Sequence, residues 1–70
     1  MAWDERRARY LTRQGEWALR RLRSKVHGGP REFSARLEVL LAHKRAAYES
    51  RNMEHYEAAL KAIIRQVAAD

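Results

Sequence analysis

The chain has no cysteine, one proline and three glycines among 70 residues. The missing cysteine excludes a disulfide framework and any thiolate metal site. β-branched residues are scarce: Thr12, Val26, Val39, Ile63, Ile64 and Val67. Nowhere do they fall into an apolar/polar alternation of period two, so strands are not expected. No apolar run resembles a signal peptide or approaches membrane-spanning length. The expectation is therefore no membrane and a cytoplasmic setting, or the virion or host cytoplasm in the case of a phage product. A chain this short buries a modest core, and without a disulfide or metal it is a candidate for support from a partner subunit.

Charge is present in quantity and unevenly placed. Fifteen Lys and Arg stand against nine Asp and Glu, a formal charge of +6. Residues 1–30 hold eight basic and three acidic side chains, while residues 31–70 hold seven and six. Twelve of the fifteen cations are Arg. The guanidinium is a planar fork matched to phosphate and carboxylate, and it stacks on flat groups.

The strong punctuation is His27-Gly28-Gly29-Pro30, a stop followed by a restart. A second break falls at Ser50-Arg51-Asn52, with Asn52 as N-cap and Glu54 and Glu57 in the turns that follow. These breaks predict three helices, at about 3–27, 31–49 and 53–68. Placed at about 100° steps, Met53, Tyr56, Leu60, Ile63, Ile64 and Val67 fall on one face of the third helix. The second helix is apolar on two sides. Leu37, Leu40, Leu41, Ala47 and Tyr48 make one face, and Phe33, Ala35, Val39, Ala42 and Ala46 make the other. Such a helix is expected between two neighbours, here helices 1 and 3, or with its second face against a second copy of the chain.

The first helix is the most informative. Ala8, Leu11, Ala18, Leu22 and Val26 form a core stripe. Trp3, Tyr10 and Trp17 recur every seven residues as a separate aromatic stripe, with Arg6, Arg9, Arg13 and Arg20 beyond it. Cations displace counterions from phosphates, and flat side chains give stacking or groove contacts. The same aromatics could instead be core or interface residues covered by arginine stems. Gly15, in mid-helix, costs about 1 kcal/mol relative to Ala; a close helix crossing, a slight bend, or no role at all are the readings open to it.

Other chemistries lack their ingredients. A helix-turn-helix wants a small residue four before its turn glycine and an apolar one three after. The pairs available are Ser24 with Arg31, or Lys25 with Glu32, and the second position is charged in both. His27, His43 and His55 are not spaced as metal ligands, so neither metal nor cofactor is expected. Ser24, Ser34 and Ser50 sit near helix ends, where capping is the simpler role. Arg45/Glu49 and Glu57/Lys61 read as surface pairs four residues apart. Asp4, Glu5 and Glu16 interrupt the basic character that a membrane-surface helix 1 would need.

The sequence thus predicts an all-α, three-helix domain. Helices 2 and 3 form an antiparallel hairpin, and a longer helix 1 packs against it. The expected function is non-enzymatic binding of nucleic acid through Arg6, Arg9, Arg13, Arg20, Arg21 and Arg23 with Trp3, Tyr10 and Trp17. The alternative is a regulator or adaptor, of cellular or phage origin, presenting the same face to an acidic protein surface. A homodimer is expected, most simply burying the second face of helix 2, with Trp3 and Trp17 as further candidates for that interface.

Overall fold

The computed structural model describes residues 2–24 and 35–69, with the side chains of all of these but Arg23 and Ser24. The Gly28-Gly29-Pro30 break, Val26, Phe33 and the predicted helix ends at 25–27 and 31–34 lie outside the described residues. Three helices are present: α1 (Glu5–Ser24), α2 (Ala35–Glu49) and α3 (Met53–Ala69).

The first helix begins two residues later than the periodicity predicts, and Asp4 is the reason. The backbone N–H groups of Arg6 and Arg7 donate to Asp4 Oδ1 at 3.0 and 3.2 Å. Two donors left without carbonyl partners at the helix start are thereby satisfied. Trp3 consequently lies ahead of the helix and does not follow its 3.6-residue period.

The connection between α2 and α3 takes three residues. The Asn52 N–H donates to the Ala47 carbonyl at 2.9 Å and the Arg51 N–H to the Tyr48 carbonyl at 3.2 Å. These two bonds are the Schellman termination, which places its last-but-one residue in the left-handed region. That residue is Arg51, with φ 55°, where glycine would be unstrained. Asn52 then opens α3 as the sequence predicts, its Oδ1 accepting the His55 N–H at 3.0 Å.

α2 and α3 are antiparallel neighbours, and α1 packs on α3. α1 runs in the same direction as α3: Arg7 meets Glu57, Thr12 meets Tyr56, and Leu22 clusters with Val67. Among the described residues, no Cα of α1 comes within 8 Å of one of α2. The central helix is therefore α3, which corrects the expectation that α2 would lie between the other two. The second face of α2 stays in solvent: Ala35, Val39, Ala42 and Ala46 are all exposed.

The core forms two layers. Ala8, Leu11, Ala47, Met53, Tyr56 and Leu60, with Trp3 against them, fill one end. Ala18, Leu22, Leu37, Ile63 and Val67 fill the other. The stripes of α1 and α3 are thus inside as their spacing predicts. Gly15 makes the α1–α3 approach possible, because a Cβ there would overlap Leu60 Cδ1. Leu60 is itself buried and has little room to yield.

Candidate functional site

α1 and α2 both lean on α3, their Cα atoms more than 8 Å apart among the described residues, and a groove runs between them. Its volume is about 480 Å³, and its lining includes Arg9, Thr12 and Arg13 from α1, Lys44, Arg45 and Tyr48 from α2, and Tyr56 from α3. Arg9 and Arg13 occupy the side of α1 that turns toward α2, one helical turn apart. Lys44 and Arg45 hold the opposite wall. Four cations therefore converge on one concavity, and none forms an ion pair with a described carboxylate. Glu5 is the acidic residue on the rim, and its Oε1 accepts the indole N–H of Trp3 at 3.1 Å.

The floor is ordered by a hydrogen-bond chain. Thr12 donates to the Ala8 carbonyl at 2.7 Å, which uses its proton. The Tyr56 hydroxyl, 2.5 Å away, is then the donor to Thr12 Oγ1. Tyr56 is in turn packed in a three-ring cluster. Trp3 meets Tyr48 edge-on at 5.4 Å and Tyr56 at 5.4 Å, and Tyr48 and Tyr56 are 5.7 Å apart. Arg51 covers the cluster, its guanidinium carbon 4.5 Å from the Tyr48 ring centre and 5.4 Å from that of Trp3. The rings tie the start of α1, the end of α2 and the start of α3 to one another at the groove's end.

One α1 arginine is committed elsewhere. Arg7 Nε donates to Glu57 Oε1 at 2.5 Å, and Lys61 Nζ lies 3.2 Å from Glu57 Oε2. Hydrogen bonds from Arg7, then Lys61, hold the Glu57 carboxyl down at about 2, and Glu57 raises the Arg7 guanidinium. This triad pins α1 to α3 on the flank away from the groove. The Glu57/Lys61 pair is as the sequence predicts. Arg45, expected to pair with Glu49, makes no ion pair with it and lines the groove.

The residues expected to act together are divided by the fold. Trp3 leaves the aromatic stripe for the three-ring cluster, half-buried, because the helix starts after it. Tyr10 and Trp17 are 60% and 56% exposed. Arg9 and Arg13 line the groove, and Arg6 and Arg20 are exposed on α1. Arg13 also lines a shallow recess with Gln14, Glu16, Trp17 and Arg20. Arg21 stacks on Trp17, 4.8 Å from the ring centre. The Arg23 side chain lies outside the described residues.

Lys44, Arg45, Thr12 and Tyr48 were not among the residues the sequence pointed to. The adjacent Lys44-Arg45 step was a visible signal, but only the tertiary placement of α2 sets it opposite Arg9 and Arg13. His43 and His55 are exposed on the far side of the α2–α3 hairpin, where they flank a second groove lined largely by alanine. Among the described residues, no three His, Asp or Glu come together as metal ligands would. No described helix is long and apolar enough to cross a membrane. Comparison of the chain with protein-family models, with curated proteins and with solved structures finds no match.

Proposed function

We propose that this chain is a small non-enzymatic binding protein of the cytoplasm that grips the phosphates of a nucleic acid. The observation that carries this reading is the convergence of Arg9, Arg13, Lys44 and Arg45, from two helices, on one groove without paired carboxylates. Cations so placed gain by exchanging condensed counterions for fixed charge, and the gain does not depend on sequence. Arg6 and Arg20 extend the positive field along α1, while Arg7 is excluded from the binding set by Glu57.

The test is a titration of labelled duplex and single-stranded DNA and RNA at about 50 and about 200 mM salt. Binding at the lower salt that weakens steeply at the higher is expected. Neutralising four phosphates gives a log–log slope near −3 on a single strand, by order of magnitude. The charge reversal Lys44→Glu/Arg45→Glu should weaken binding at least tenfold, as should Arg9→Glu/Arg13→Glu. Failure of every nucleic acid to bind at low salt overturns the reading.

A second reading has its own support. Tyr10 and Trp17 are large exposed aromatics beside arginines, the residue types that dominate protein interfaces. A regulator or adaptor docking an acidic protein surface would use them. Self-association through Ala35, Val39, Ala42 and Ala46 of α2 is proposed alongside either reading, since these residues leave an apolar strip in water. Light scattering on the purified chain decides it: a monomer at high concentration removes the dimer.

A further inference from the structure

Resting on the nucleic-acid reading, we infer that the groove takes a single strand rather than a duplex, and that the strand passes over Arg13 to stack a base on Trp17. The width of the cleft is the first argument. Helices packed side by side have axes about 8–10 Å apart, so α1 and α2, both seated on α3, have axes at most about 16–20 Å apart. Each helix is about 10–12 Å across with its side chains, which leaves a cleft no more than about 10 Å wide. One sugar-phosphate chain enters such a cleft between the Arg9/Arg13 wall and the Lys44/Arg45 wall. A duplex can only lie across the rims, where it cannot reach both walls and the Tyr48 ring together.

The aromatics supply the second argument. Tyr48 is 42% exposed and faces the groove, and Trp17 is 56% exposed one turn beyond Arg13. Arg13 belongs both to the groove and to the recess that holds Trp17 and Arg20. One turn of helix is a rise of roughly 6 Å from Arg13 to Trp17, which lie on the same side of α1, offset by about 40°. Arg21 lies over the Trp17 ring, and the indole also borders the recess it shares with Arg13 and Arg20, where a base would stack. Cations interleaved with flat rings along one track are what sequence-tolerant single-strand binding requires.

The experiment compares three labelled polyanions by fluorescence anisotropy at about 50 mM salt: an oligothymidylate of about 12 nucleotides, a duplex of the same length, and polyglutamate of equal charge. The full chain is used, with Trp17→Ala beside it. In parallel, Trp17 emission is followed in Trp3→Phe, where Trp17 is the remaining tryptophan. The single strand should bind at least tenfold tighter than the duplex and polyglutamate, quench Trp17, and lose about tenfold in affinity with Trp17→Ala. Equal binding of the duplex, or single-strand binding indifferent to Trp17→Ala, overturns the strand path while the nucleic-acid reading stands; equal binding of polyglutamate overturns both in favour of an acidic protein partner. Absence of binding by both nucleic acids overturns the reading and the inference together.

Discussion

The Tyr56 hydroxyl donates to Thr12 Oγ1, and so joins the buried end of α3 to the wall of the groove. Tyr56→Phe removes this link and leaves the ring in place. Thr12 keeps its bond to Ala8 and retains access to water through the groove, so no polar group is stranded. The expected loss is about 1 kcal/mol, read as a lower urea midpoint with an unchanged slope. Tyr56→Ala empties the ring site as well and should cost about 3–5 kcal/mol, by analogy with other buried aromatics.

Gly15 and Leu60 should be coupled. Gly15→Ala gains about 1 kcal/mol of helix propensity but forces a Cβ onto a buried Leu60 methyl, an overpacking that typically costs about 1–3 kcal/mol. Net destabilisation is expected in the native background. In a Leu60→Ala background the obstacle is gone, and the same change should stabilise. A double-mutant cycle from chemical denaturation measures the reversal of sign.

Glu57 sets an acid limb. Its carboxyl is held at about 2 by Arg7 and Lys61, below its ordinary value of 4.5. The unfolded chain thus binds the proton more readily than the folded one. The contribution is complete above about pH 5 and is lost as pH falls toward 2. Glu57→Gln should lower the unfolding midpoint modestly above about pH 5, since the pair is partly screened by water, and flatten its dependence across that window, so that variant and parent converge as pH falls toward 2.

Arg51 combines a left-handed backbone with two ring contacts and a guanidinium bond to the Tyr48 carbonyl. Arg51→Ala keeps the backbone strain and discards the contacts. Arg51→Gly discards both. The glycine variant should therefore be the more stable of the two by about 1 kcal/mol, as thermal midpoints would show.

Much of the architecture was legible because it is periodic. Ala8, Leu11, Ala18 and Leu22, and Met53, Tyr56, Leu60, Ile63 and Val67, are buried at the spacing a helix imposes. Asn52 announced its own cap. Trp3 was misassigned because periodicity assumes a helix that has already started, and Asp4 starts it later. The two apolar faces of α2 were visible, but their order of burial depends on which helix takes the centre, and no local pattern states that. The groove was illegible for a related reason. Arg9 and Arg13 were found on their helix, yet the facing Lys44 and Arg45 are more than thirty positions away in sequence, and only the shared support of α3 brings them opposite.

That support has a thermodynamic corollary. The backbones of α1 and α2 stay apart, so the groove exists only while α1 is docked on α3 through the Gly15 contact, the Arg7–Glu57 pair and the core stripe. An occupant held by both walls closes the bridge that the backbone leaves open. Ligand binding and α1 docking are then linked equilibria: each hundredfold excess of ligand over its dissociation constant adds about 2.7 kcal/mol against undocking. Amide hydrogen exchange in α1 should slow on loading, and the α2–α3 hairpin should respond less.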